Sequence, residues 1–157
     1  MHADQAICQP TNQRTILRSL SLFYEKHRME NTIYQKLGKE NLEQLVNTFY
    51  ELVLDNEVLK PLFTTDLELV RQKQTAFLTQ FLGGPTLYNQ SFGRPMMRAR
   101  HLPHKITEAA AIEWLSCMNA AINTLDIEED FKTTLFNCFP RLAAHMVNTY
   151  PATDNQI

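Results

Sequence analysis

The sequence predicts an all-α chain, and three observations carry that expectation. Apolar residues recur at helical spacing in successive windows, as at Leu42, Leu45, Val46, Phe49 and Val53. Alternating runs of Val, Ile and Thr, the mark of half-buried strands, are missing. Glycine is scarce: only Gly38, Gly83, Gly84 and Gly93 could serve the tight turns of a β-rich chain. A length of 157 residues suits one domain with a full core, and neither a linker nor an internal repeat divides it.

Residues 1–12 read as a loose arm, and 14–28 as an amphipathic helix with Ile16, Leu17, Leu20 and Phe23 or Tyr24 on one side. This helix is expected to be a strut packed outside the main core, because Glu25 and the shortness of the run disfavour a membrane-surface role. A short helix over 32–37 ends at Gly38, and Asn41 is placed to cap a helix that reaches Asp55. Pro61 suits a short helix or turn across 57–63. Asp66 caps the next helix, which Gly83-Gly84-Pro85 ends. Its stripe is Leu67, Val70, Gln74, Phe77, Leu78 and Phe81. A loop is expected over 85–94, then a short helix whose first turn holds Pro95 and which closes at His101. Thr107 starts a long helix to about Leu125, with Glu108 favouring its positive end. A last helix spans 127–149, bent near Phe136 because Pro140 cannot supply an N–H inside it.

The bulk numbers exclude several roles. A net charge of −2 gives no electrostatic case for nucleic acid, and no apolar run reaches membrane-spanning length. Cys8, Cys117 and Cys138 are too few and too far apart for a zinc knuckle or covalent haem attachment. The latter two fall on apolar helical stretches as small hydrophobes, which suits a reducing, cytoplasmic setting; no signal peptide is apparent.

Four polar side chains stand out. Tyr50 adjoins one helical stripe, Gln74 interrupts a second, and Trp114 brings an indole N–H to a third. Buried without a partner, each would cost a few kcal/mol, so they either satisfy one another or face a polar ligand. His101 ends a basic run, Arg98-Ala99-Arg100-His101, just before a Leu-Pro break that disfavours a continuing helix. An imidazole at a helix end with two arginines beside it suits a partner needing both a nitrogen ligand and cations. Haem, with its iron and two propionates, is one such partner.

The segments LGKENLEQLVNTFYELV, LKPLF, QFLGGPTLY, GRPMMRARHLPHKI and EWLSCM together resemble the group II truncated haemoglobins, over about 34–149. The resemblance implies a truncated globin fold, a two-over-two helical sandwich in which 41–55 pairs with 66–82 and 107–125 with 127–149. It divides the chain into a partly helical N-terminal extension over 1–30, a globin domain over 31–150 and a tail over 151–157. It further implies non-covalent haem b (iron protoporphyrin IX), with His101 as the proximal iron ligand and Tyr50, Gln74 and Trp114 as distal donors. Phe63 and Phe77 would line the haem face and distal cavity, and Val70 would stand at the distal gate, where related chains often carry a smaller residue. Lys73, Tyr88 and Arg100 would meet the propionates, with Arg98 a weaker candidate. His104 stands where relatives have Phe and is expected to be a loop or surface histidine.

The function implied is reversible binding of dioxygen and other small ligands (NO, CO, sulfide) by a monomer or homodimer. Dioxygen release would be slow, since two or three donors would hold the ligand's partial negative charge. The alternative is a haem-dependent redox enzyme, peroxidase-like or NO-detoxifying, which would need an outside reductase. A haem-free helical interaction module is a third reading, disfavoured by the retention of His101 and the pocket residues.

Overall fold

Helices begin at the capping side chains of Thr32, Asp66 and Thr107. A computed structural model describes residues 13–29, 32–63 and 66–150, and no strand occurs among them. The helices are α1 (Gln13–Met29), α2 (Ile33–Leu37), α3 (Lys39–Asp55), α4 (Leu67–Phe81), α5 (Leu87–Phe92), α6 (Met97–His101), α7 (Glu108–Asn123), α8 (Glu129–Phe136) and α9 (Pro140–Met146), with a 3₁₀ turn at Lys60–Leu62. Thr32 caps α2 by accepting from the Gln35 N–H, and Thr107 caps α7 by accepting from Ala110 N–H. Asp66 Oδ1 accepts from both Glu68 and Leu69 N–H at the start of α4. The expected cap at Asn41 is not one. α3 begins at Lys39, and the Asn41 amide instead donates to the Leu37 carbonyl (2.8 Å), closing the end of α2.

Three further expectations are corrected. The 85–94 segment is not all loop: α5 forms there, held by Gln80, whose amide oxygen accepts from Asn89 N–H and whose Nε2 donates to Asn89 Oδ1. Pro95 lies outside α6, which starts after Met96 in a left-handed conformation (φ 41°). The last long helix breaks rather than bends. Cys138 and Phe139 N–H donate three residues back, to Leu135 and Phe136, and Pro140 opens α9 at a position that needs no N–H donor.

α3 packs on α4, and α7 on α8 and α9; α3 also packs on α7, joining the two pairs into the two-over-two arrangement. Leu45, Phe49, Val53, Leu78, Met118, Ile122, Leu135 and Phe139 have no accessible surface. Burying a side chain of this size stabilises the fold by about 1.5–3 kcal/mol. Aromatic rings run through this core as a connected series. Phe63 meets Tyr50, Tyr50 meets Phe49, Phe49 meets Trp114, and Trp114 meets Phe139, with centroids 5.1–5.9 Å apart. Phe81, expected on the buried stripe, is 39% exposed but still stacks on Phe77 at 5.5 Å.

The glycine pair after α4 serves close approach. Gly83 has φ 93°, a conformation that L side chains rarely adopt, and a Cβ on Gly84 would lie 2.6 Å from the Tyr34 ring. The turn thereby lets Tyr34 and the α2 end dock against α4; Tyr34 N–H donates to the Leu82 carbonyl. Cys117 is buried and Cys138 half-buried; burial raises both thiols, with Glu113 adding to the effect at Cys117. Both thus stay protonated.

The first turns of α1 do not pack as a strut. Ile16, Leu17, Leu20 and Leu22 are all exposed, and no described residue of α1 joins the core. The side chains of Phe23 and Tyr24 lie outside the described residues.

Candidate functional site: a histidine-bearing cavity

A cavity of about 250 Å³ opens between the helices. α4 contributes Val70, Gln74 and Phe77, and the α3–α4 connection contributes Leu59, Leu62 and Phe63. Met97 and His101 come from α6, with His104 and Ile106 from the turn that follows. α7 supplies Ala110, Ala111 and Trp114, and α9 closes the remainder with Leu142, Ala143 and Met146. The lining is mostly apolar, with four polar side chains among it: Gln74, His101, His104 and Trp114.

His101 is held in one tautomer. Its Nδ1 lies 2.6 Å from the Met97 carbonyl one turn back, an acceptor only, so Nδ1 carries the proton and Nε2 keeps its lone pair. The Leu102-Pro103 break that ends α6 is stitched down by Asn148. Its Nδ2 donates to the carbonyls of His101 (3.0 Å) and His104 (2.9 Å), and its Oδ1 accepts from Ile106 N–H (3.0 Å). Sequence reading missed Asn148 because a polar residue just beyond the last helix looks like surface; only the fold brings it 47 positions back along the chain to His101.

The expected site residues divide by position. Phe63, Val70, Gln74, Phe77, His101 and Trp114 line the cavity. Tyr50 sits behind Phe63, its ring edge-on at 5.7 Å, and is buried. That burial pushes its phenol far above the ordinary tyrosine range, with the Arg71 guanidinium pulling weakly the other way. Lys73, Tyr88 and Arg100 gather beside α5. The Lys73 ammonium lies 5.7 Å from the Phe92 ring, and the Arg100 guanidinium 5.9 Å from the Tyr88 ring, which is edge-on to Phe77. Arg100 also donates to the carbonyls of Pro95 and Phe92. Arg98 is not brought to this cluster: it donates to the His145 carbonyl at 2.6 Å and, more weakly, to Val147, tying α6 to the end of α9. His104 is exposed and yet borders the cavity. Arg71, unremarked in the sequence because it reads as a solvated charge, stands over Tyr50 with its guanidinium 6.0 Å from the ring.

Tyr50, Gln74 and Trp114 do not satisfy one another. Among the described residues no hydrogen bond joins any two of them. Gln74 and Trp114 line the cavity, so both are placed to face a polar occupant of it.

An apolar slot, an imidazole with a free lone pair, unspent donors and a neighbouring cluster of cations make a site for a flat, metal-bearing, anionic prosthetic group. The comparisons with known proteins agree. Residues 32–148 match the family model described as bacterial-like globin. The group 2 truncated haemoglobin of Bacillus subtilis (strain 168) is 48% identical over 124 residues, covering 79% of this chain and 94% of its own length. The crystal structure of the group II truncated haemoglobin from Bacillus anthracis superposes with a TM-score of 0.73 at 42% identity, over 78% of this chain and 95% of that one. The X-ray structure of a truncated oxygen-avid haemoglobin from Bacillus subtilis gives 0.71 at 48% identity, over 75% and 100%. The chain belongs to the bacterial-like globins and, within them, to the group II truncated haemoglobins. Membership implies haem as cofactor and a diatomic gas as ligand.

Proposed function

We propose that this protein is a haem b globin that binds dioxygen, NO or CO reversibly and releases dioxygen slowly. One observation carries the reading: His101 lines an apolar cavity with its Nδ1 tied to Met97, leaving Nε2 as the free nitrogen. The residues fit the group. His101 would ligate the iron through Nε2; Lys73, Tyr88 and Arg100 would hold the propionates, Arg98 being the weaker candidate. Phe63, Phe77 and Val70 would pack against the macrocycle and exclude water. Haem iron supplies the position at which a diatomic gas binds.

What this chain would add is a set of donors facing the bound gas. Gln74 and Trp114 border the cavity and Tyr50 stands behind Phe63, all with hydrogen-bonding capacity to spare. A ligand carrying partial negative charge is held by fixed donors in a dry site, where each good donor contributes about 1–3 kcal/mol, or roughly ten- to hundredfold in dissociation rate. The oxygen-avid description of the Bacillus subtilis relative supports the same expectation. Slow release suits a scavenger or sensor better than a bulk carrier.

We further take residues 31–150 as the globin domain, 1–30 as an extension and 151–157 as a tail. Cytoplasmic location fits the cysteine usage; no described helix is long and apolar enough to cross a membrane.

The deciding experiment is an absorption spectrum of the purified protein with added haemin in ferric, ferrous and CO forms. A Soret band that His101→Ala abolishes or shifts is expected; no band, or one unchanged in His101→Ala, overturns the haem reading. Stopped-flow dioxygen release should accelerate roughly ten- to hundredfold in Tyr50→Phe or Trp114→Phe. Fast release unaffected by either substitution would refute the donor account.

A further inference from the structure

Arg71 Nε is buried without a hydrogen-bond partner, alone in this among the side-chain nitrogens and oxygens of the described residues. Nor does Arg71 make an ion pair with any described carboxylate; the pairs present are Lys39–Glu43 and Lys132–Glu129. A partly buried guanidinium with an orphaned N–H is costly, and such a group in a native fold calls for a reason.

Its surroundings supply one. The guanidinium lies 6.0 Å from the Tyr50 ring. Tyr50 packs edge-on against Phe63 at 5.7 Å, and Phe63 lines the cavity. On the same helix, Val70 immediately before Arg71 and Gln74 three positions after it also line the cavity. A positive charge therefore stands behind the cavity wall, beyond Tyr50 and Phe63. The Arg71 charge acts on the Tyr50 hydroxyl, opposing the effect of its burial.

We propose that Arg71 is a specificity-determining residue of the cavity: with Tyr50, it favours small inorganic anions over neutral ligands of similar size. The proposal rests on the haem reading above and deepens it by naming the ligand class that the distal side prefers. A net cation in a poorly solvated place attracts an anion through several ångströms, whereas a neutral diatomic feels only the weak gradient of the same field. The Tyr50 hydroxyl, polarised by the neighbouring charge, is the donor through which that preference reaches the ligand. Arg71 is thus a residue acting through Tyr50, and its mark is a difference between ligand classes rather than a loss of binding in general.

The test compares haemin-loaded wild type, Arg71→Met and Arg71→Lys. Spectral titration of the ferric proteins with azide and with fluoride gives anion affinities, and CO binding to the ferrous proteins is the neutral control. Arg71→Met is expected to weaken azide and fluoride binding on the order of tenfold, with CO unchanged. Arg71→Lys, which keeps the charge, is expected to retain most of the anion affinity. In the haem-free proteins Arg71→Met is expected to raise Tm, because it removes an unpartnered buried N–H. Unchanged anion affinity in Arg71→Met, a parallel loss of CO binding, failure of Arg71→Lys to retain affinity, or a lowered Tm would each overturn the proposal. A wild type that forms no Soret band overturns the haem reading and this proposal with it; a normal Soret band without anion discrimination overturns this proposal alone.

Discussion

The His101 imidazole and the Met97 carbonyl are joined at 2.6 Å within a single turn of α6. That bond makes a short, partly exposed helix a precise support, because it sets ring orientation and proton position together. His104 also borders the cavity, three residues on, and is the rival nitrogen. The expectation is that His101→Gly loses the wild-type haem spectrum and that excess free imidazole restores it, the small molecule bonding to the vacated Met97 carbonyl. His104→Phe should leave the spectrum unchanged. The reverse pattern would make His104 the ligand.

Asn148 controls the same support from the far end of the chain. Its side chain makes four hydrogen bonds: Nδ2 donates to the His101 and His104 carbonyls, and Oδ1 accepts from the Ile106 N–H and the Thr149 hydroxyl. Asn148→Ala leaves the part-buried Ile106 N–H without its partner and removes one of the two bonds to the His101 carbonyl, at a cost of about 1–3 kcal/mol. Tm should fall by several degrees, as thermal denaturation would record. Haem should also leave faster when apomyoglobin is used as acceptor. A Tm loss with unchanged haem release would limit Asn148 to fold stability.

How far the site was legible follows from these residues. His101 announced itself because a Leu-Pro break must end a helix, and α6 does end there. Gln74 and Trp114 were visible as polar groups on apolar stripes, and both border the cavity. Asn148 and Arg71 were not visible. The first acts only through a contact between distant parts of the chain, and the second has the sequence appearance of a solvated charge. In the fold, α5 escaped notice because six residues between Gly-Pro and Gly-Arg-Pro turns are too few to show a period. The break between α8 and α9 was read as a bend, since proline's missing N–H reveals that a helix is interrupted but not whether it resumes on the same axis.

Tyr50 links the site to alkaline stability. Its phenol is raised from the ordinary value of 10.0, burial being the main cause. In the folded protein it therefore stays neutral, and a hydrogen-bond donor, at any physiological pH. The unfolded chain ionises first, so above about pH 10 it holds fewer protons than the native state and stability falls as pH rises. The contribution is complete below the unfolded value and is lost above it, with a limiting slope of about 1.4 kcal/mol per pH unit. Denaturant unfolding between pH 8 and about 11 should show wild type losing stability relative to Tyr50→Phe. Parallel curves would mean that the phenol is not desolvated as the fold implies.

Gly84 provides the sharpest test of how the glycine turn places α4. A Cβ there would lie 2.6 and 2.7 Å from Tyr34 ring carbons and 2.7 Å from the Thr79 carbonyl oxygen. The ring can give way, but the carbonyl belongs to the helix that carries Gln74 and Phe77 to the cavity. Gly84→Ala should therefore destabilise by about 1–3 kcal/mol, as overpacking does in a filled interior. Combining it with Tyr34→Ala separates the two obstacles. If the ring carries the clash, the double variant is more stable than the sum of the single effects predicts. If the effects add, the α4 carbonyl carries the clash, and the ligand spectrum should then shift in Gly84→Ala as Gln74 and Phe77 move with their helix.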